Sequence, residues 1–320
     1  MRAKRRRNTE QHESRFTRFR RLRRWLIGVP LVAVAAIVLL WSVPVIVANT
    51  GLRQSIVSAA LSDFEGSVSI GSASLGWLSP LLAHDIEARD RRGQPLGYVK
   101  SLRSEKSLLG LLSDTSQPGV FRVEEPKLQL VLRPDGSNWE DALAKLLSEP
   151  SQGSAVQKLA IQVEGGTLEV RDATSGVPWR LDQLQLAMQW DEAAPLPIKV
   201  RAAGVLGSDS KQSGPVSVDW AWKPGDTDET YYGDGQLTLR GQSIPLVTLS
   251  SLAQRFVGDI QAQGTASCDA LWQWKEGGRR QRMQVDRLQT GPLAVRAPAW
   301  FGPDVLRTDS LRGSAQLESD

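Results

Sequence analysis

Trp25 to Ala48, WLIGVPLVAVAAIVLLWSVPVIVA, holds no charged residue, and after it the hydrophobic pattern changes period. A helix of that length, rising about 1.5 Å per residue, spans the roughly 30 Å hydrocarbon core of a bilayer. Helical hydrogen bonding satisfies every backbone group internally, as lipid requires. Pro30 and Pro44 lie near its two ends, and Trp25 stands where an interfacial aromatic belongs. The pattern predicts a transmembrane helix over 25–48; the length and flanks count against a buried core helix.

Leu52, Ile56, Val57, Ala60 and Leu61 recur at helical spacing behind Asn49 or Thr50 as cap, which predicts a short helix to about residue 61. From Gly66 the period becomes two. Strands are expected at 67–71, 82–88 and 96–102, then a short amphipathic helix over 104–112. Strands at 121–123 and 128–132 end at the turn Pro134-Asp135-Gly136. Ser137 or Asn138 then caps a helix to about residue 147, with Trp139, Ala142, Leu143, Leu146 and Leu147 as its stripe. Glu140 and Asp141 fall in its first turn, where the helix dipole favours negative charge. Residues 149–154, with Pro150 and Gly153, read as a linker.

Short strands follow at 159–163, 167–171, 184–190, 198–202, 216–222 and 237–240. Pro245 opens a helix to about residue 257. A long strand is expected over 260–274, and further strands at 283–288, 293–297 and 311–317. Two runs alternate cleanly. Val216, Val218, Trp220 and Trp222 share one strand face, and Ala266, Cys268, Ala270, Trp272 and Trp274 share another. Many strands joined by tight turns predict a mostly-β, antiparallel architecture with a few short amphipathic helices. The chain divides into an arm (1–24), the span (25–48), a first β module with short helices (49–150) and a continuing β-sheet region (151–320). The last strand has no return partner in the sequence, so a longer chain is expected.

Charge sets the orientation. Residues 1–24 hold 11 Lys and Arg against Glu10 and Glu13, and the chain as a whole 39 against 35. The remainder therefore carries 28 basic and 33 acidic residues, a net −5. Positive charge before the span keeps the N-terminus cytoplasmic and sends the rest across. The apolar run is too long for a cleaved signal peptide, and Ala48-Asn49-Thr50 makes a poor cleavage site, so an uncleaved anchor is expected. The basic arm suits anionic lipid headgroups better than nucleic acid.

Candidate chemistry is sparse. One cysteine, Cys268, excludes an internal disulfide framework, and its place on the apolar register favours packing over nucleophilic work. His12 and His84 lack metal-ligand spacing. No phosphate-cradling Gly-Lys-Ser/Thr loop, HExxH or GxSxG is present. Helix-start electrostatics accounts for Glu140 and Asp141, and a solvated strand face for Asp85, Asp90, Glu124 and Glu125. Most of the eleven tryptophans lie on apolar registers, which favours a hydrophobic face over sugar platforms. The reading is of a protein that is not an enzyme and needs no cofactor.

The order of elements adds a resemblance. After the span and short helix come GSVSIGSASLGWLSPLLAHDIEARDRRGQPLGYVKSLRSEKSLLGLL and GVFRVEEPKLQLVLRPDGSNWEDALAKLL. Val123-Glu124-Glu125-Pro126-Lys127-Leu128-Gln129-Leu130 and Pro134-Asp135-Gly136-Ser137-Asn138-Trp139 resemble a recurring block of the AsmA-like (TamB-like) family, in its N-terminal region. SIPLVTLSSLAQRFVGDIQAQGTAS resembles a second. The resemblance covers residues 25–148 well and 236–274 less well, and departs at Ala83 and His84. It implies a single-pass protein of the bacterial inner membrane carrying an elongated, curled, groove-like β-sheet into the periplasm, grouped with bridge-like lipid-transfer proteins in envelope biogenesis. Phospholipid or another envelope lipid would be the partner, with outer-membrane components beyond it. Val216, Val218, Trp220, Trp222, Ala266, Cys268, Ala270, Trp272 and Trp274 would then line the groove. The alternative is a membrane-tethered scaffold or outer-membrane assembly factor with a closed β core. Alternation alone fits both.

Overall fold

Period-two sequence becomes strand from residue 66 onward. The computed structural model describes residues 38, 41–44, 46–133, 135–148, 157–173, 176, 178–208, 212–225, 233–248, 250, 260–298, 302 and 304–319. The arm and most of the expected span lie outside these, and with them the expected topology. Residues 41–44 and 46–49 are helical. No helix among the described residues is long and apolar enough to cross a membrane.

Helix α1 (Leu52–Ala60) follows. Its cap is Gly51 rather than Asn49 or Thr50, although Thr50 Oγ1 accepts the Leu52 N–H at 3.4 Å. Strands β1 (Gly66–Ser74), β2 (Pro80–Asp90) and β3 (Pro95–Ser107) form a meander. The expected helix over 104–112 is only α2, Leu108–Ser113. Ser104 instead pairs with Phe121, so ladder bonds hold β3 extended to Ser107, whose Oγ accepts the Gly110 N–H at 3.3 Å. Strands β4 (Gly119–Glu124), β5 (Lys127–Arg133) and β6 (Gly136–Ser137) lead into helix α3 (Asn138–Ser148).

The second half supplies β7 (Lys158–Asp172), β8 (Pro178–Asp191), β9 (Ile198–Ser208), β10 (Ser213–Lys223) and β11 (Asp234–Pro245). After these come β12 (Gln261–Gln263), β13 (Thr265–Lys275), β14 (Arg280–Thr290), β15 (Leu293–Arg296), β16 (Val305–Thr308) and β17 (Leu311–Ser319). The runs at 159–163 and 167–171 join as one strand, β7. The run at 260–274 divides at Gly264, whose φ of +112° leaves the extended region, and β12 pairs with β15 in a separate three-stranded sheet. Residues 149–156, which include the expected linker at 149–154, lie outside the described residues, as do residues 249 and 251–259 of the expected helix after Pro245.

The main sheet has 14 strands, in the order β1-β2-β3-β4-β7-β8-β9-β10-β11-β13-β14-β17 with β5 and β6 off this path. It crosses the boundary expected near residue 150 without a break. The antiparallel expectation needs correction: β4 and β5 both pair parallel to β7. Helix α3 supplies the crossover that parallel neighbours require. The protein is mostly β, in one large mixed sheet with few short helices.

At the end of the sheet where β1 begins, α3 lies close, with Glu65 N–H bonded to Ala142 O at 2.8 Å. Leu132, Val170, Trp179, Leu206 and Ile244 form the buried core at this end. We call it the helix end.

Candidate functional site

Strand register shows what alternation along each strand cannot. Ala73, Ala83, Leu102, Val123, Val163, Leu186, Ala202, Val218, Leu239, Ala270, Val285 and Ala315 face one another in unbroken succession across all twelve strands of the path. No polar residue interrupts this row. Beside it, Val200, Trp220, Leu237, Trp272, Met283 and Leu317 form a second row across six strands. One residue over, the side chains project from the opposite face, and there Arg201, Asp219 and Thr238 are in register. That polar face carries ion pairs, Arg201–Asp219 at 2.7 Å and Arg287–Asp269 at 3.0 Å. The two faces of the sheet are chemically distinct.

Beyond the ladders, the strands of the main sheet approach one another closely at one place among the described residues. Every pair of strands in extensive contact consists of hydrogen-bonded neighbours, apart from β9 and β11 on either side of β10. Those two approach within 8 Å, Cα to Cα, where a flat sheet would hold them about 9.6 Å apart. The sheet is therefore bent at β10. Most side chains of the long row are half-buried, and Trp272 (40% exposed), Met283 (45%) and Leu317 (67%) open progressively toward β17.

The residues singled out in the sequence divide between two environments. Trp220, Trp222, Trp272 and Trp274 come together with Leu237, Gly278 and Gln281 around a cavity of about 640 Å³. Trp220 stacks on Trp222 with centroids 5.6 Å apart at 15°, and Trp272 tilts against Trp274 at 4.9 Å and 43°. Trp222 and Trp274 flank β11, where Gly235 stands between them in register. A Cβ at Gly235 would come within 2.4 Å of the Trp274 ring, so only glycine permits that approach. Val218 and Ala270 sit in the long row. Val216 packs on the buried core instead, and Ala266 is buried beside Ile244. Cys268 faces Gly241 and Leu288. Burial pushes its thiol pKa up, and the neighbouring Asp269 carboxylate adds to this.

The acidic residues have local work. Asp141 pairs with Arg133 at 2.7 Å, Tyr98 donates to Asp85 at 2.6 Å, Ser101 to Glu124 at 2.7 Å, and Lys100 pairs with Glu125 at 2.5 Å. Asp90 Oδ1 accepts the Arg92 and Gln94 N–H groups and shapes the β2–β3 turn. No cluster of three or more His, Cys, Asp or Glu able to hold a metal occurs among the described residues.

No protein-family model matches the chain, and no curated protein matches it.

One feature of the sequence had a meaning that spacing did not disclose. Ser137, not Asn138, caps α3, accepting the Glu140 N–H at 3.1 Å. Asn138 acts as a lock on β5: its Oδ1 accepts the Val131 N–H at 2.9 Å and its Nδ2 donates to Gln129 O at 3.0 Å. Trp139 Nε1 donates to the same carbonyl at 3.0 Å. The Asp-Gly-Ser-Asn-Trp block thus fastens α3 across the sheet. The apolar partners Leu237, Met283 and Leu317 were also missed, because they become lining residues only through cross-strand register.

Proposed function

We propose that this is a membrane-anchored periplasmic protein of AsmA-like type, acting in envelope biogenesis by holding lipid along the apolar face of a curled, groove-like sheet. The observation that carries this reading is the apolar row running through all twelve strands of the path, half-buried along most of its length, with exposed apolar neighbours toward β17. Acyl chains need no specific ligand, only continuous apolar surface at about 25 cal/mol per Å² buried. Eleven inter-strand steps of about 4.8 Å give a track roughly 50 Å long, more than twice an extended acyl chain. The basic arm and apolar segment before residue 49 support an inner-membrane anchor with the sheet outside the cytoplasm. A tethered scaffold with a closed core would bury Trp272, Met283 and Leu317, and their exposure speaks against it.

The test is to purify the full chain in mild detergent and identify bound lipid by mass spectrometry, with a photo-crosslinker at Leu239 to place it. Lipid adducts at Leu239 are expected. A wild-type protein free of lipid, crosslinking only within itself, would sink the reading. A reporter active only in the cytoplasm, fused after residue 320, is expected to give no signal.

A further inference from the structure

The two ends of β1 both present exposed apolar side chains, and they do so on the outermost strand of the sheet. Gln54 of α1 donates to Val68 O near the start of β1, and the helical residues leading into α1 expose Trp41 (60%) and Ile46 (45%). At the opposite end, the β1–β2 loop exposes Leu78 (69%), and α2 exposes Leu109 and Leu112 (61%). These last two segments are one surface. Leu108 N–H bonds to Gly76 O at 3.3 Å and Leu109 N–H to Trp77 O at 3.2 Å, which fixes α2 against the loop. Leu109 and Leu112, three residues apart, lie on the same side of α2. Neither Ala73–Leu82 nor Leu108–Ser113 contains a charged residue.

We propose that this leucine surface docks on the bilayer that anchors the chain, so that β1 lies along the membrane with a contact at each end. From its first residue to its last, the nine-residue β1 spans eight steps of about 3.3 Å, roughly 26 Å. A single helix leaves a sheet free to swing about its exit point; a second contact at that distance fixes β1 parallel to the bilayer. The first strand of the apolar row then stands at the lipid surface. The occupant is a bilayer because the surface is uncharged, small and carried by exposed Leu beside Trp77, the composition of an interfacial contact. It also continues the edge that leaves α1. The inference rests on the anchored reading given above, but not on lipid being held in the sheet.

The experiment places a photo-crosslinking residue at Leu78, Leu112, Gln236 or Leu239 in the full chain, reconstituted in phosphatidylethanolamine–phosphatidylglycerol vesicles. Lipid adducts are expected at Leu78 and Leu112 but not at Gln236 on the polar face. Leu78→Asp is expected to lower adducts at Leu112 by about tenfold, since an inserted carboxylate resists leaving water. Both positions are exposed, so thermal unfolding should not change. Adducts at Leu239 with none at Leu78 or Leu112 would overturn docking and leave the lipid-holding reading standing. Adducts at Leu78 and Leu112 with none at Leu239 would support docking and count against lipid in the sheet. Crosslinks from Leu112 to another protein in native membranes, with no lipid adduct in vesicles, would also overturn docking.

Discussion

Ala270→Asp distinguishes an open apolar face from a closed core more cleanly than any larger substitution. Ala270 lies between Leu239 and Val285 in the long row and is half-buried, so the change adds a charge with only a small gain in volume and opens no cavity. If water reaches the face, the cost is the lost methyl burial plus a poor strand residue, about 1 kcal/mol together. If a second layer covers the face, the carboxylate is stranded or must bind a proton, at about 4 kcal/mol. For a folded unit of this size, 1 kcal/mol shifts the melting temperature by about 2–4 °C. The open face therefore predicts a drop of a few degrees, and the closed core a drop of about 10 °C or more. Bound lipid should respond in the opposite proportion. A carboxylate in the path of acyl chains should lower lipid retained on purification by at least about tenfold, equivalent to about 1.4 kcal/mol. Lowering the pH protonates the introduced carboxyl and should restore part of that lipid. Thermal unfolding of the full chain in detergent, read beside quantitative lipid mass spectrometry, gives both numbers. Collapse of the fold in the variant, together with a lipid-free wild type, refutes the reasoning.

Three further outcomes follow from local geometry. Asn138→Ala strands the Val131 N–H and Gln129 carbonyl and should cost about 2–3 kcal/mol by denaturant unfolding, while a surface change such as Gln129→Ala should be nearly neutral. Cys268 reacts only as thiolate, and burial disfavours that form, so its alkylation at pH 8 should be slower than that of a free thiol and should keep rising at higher pH. Glu140→Gln with Asp141→Asn removes the exposed Arg133–Asp141 pair and should cost less than about 1 kcal/mol with no loss of cellular function. Loss of function at normal abundance would mark an unrecognised site there.

Much of the strand content was legible because alternation is local: Val216 to Trp222 and Ala266 to Trp274 needed nothing beyond their own neighbours. What alternation withheld was partnership. Trp222 and Trp274 lie 52 positions apart and share a cavity only because β11 places Gly235 between them. The α2 region misled because Leu108 to Leu112 has helical spacing, while pairing of Ser101 to Ser104 with β4 decides where the helix can begin. β16 was missed since Val305–Thr308 is four residues long and earns its place only beside β15. Ser137 and Asn138 are equally good cap residues in the sequence, and the pairing of Asn138 with β5 depends on a strand whose position is set by the whole sheet.

The same long-range logic explains how one apolar face survives the change from antiparallel to parallel pairing. Gly119 faces Leu159 and Leu132 faces Asp172, so β4 and β5 together track β7 at a constant offset of 40 residues. Both chains break at the same level, Glu125 with φ of +47° and Gly165 with φ of +68°. There Glu125 N–H bonds to Glu164 O at 2.8 Å, and Thr167 N–H to Pro126 O at 2.7 Å. Before the break the apolar residues are Val123 and Val163; after it they are Leu128 and Leu168, of opposite parity. An extra residue in one strand alone would turn everything beyond it to the wrong face, but matched irregularities turn both together. β8 repeats the device at Gln183, φ +53°, where Leu186 gives way to Leu181, and β2 repeats it at Asp85, φ +54°. Left-handed non-glycine residues are costly one at a time, about 1 kcal/mol or more each, so their repetition across the sheet marks a crease rather than scattered defects. On the helix-end side of that crease lie Val170, Trp179 and Leu206, packed and buried. On the other side lie Val163, Leu186 and Ala202, apolar and half-exposed. The crease lets one sheet close a core along one margin while the rest of the same face stays apolar and half-exposed.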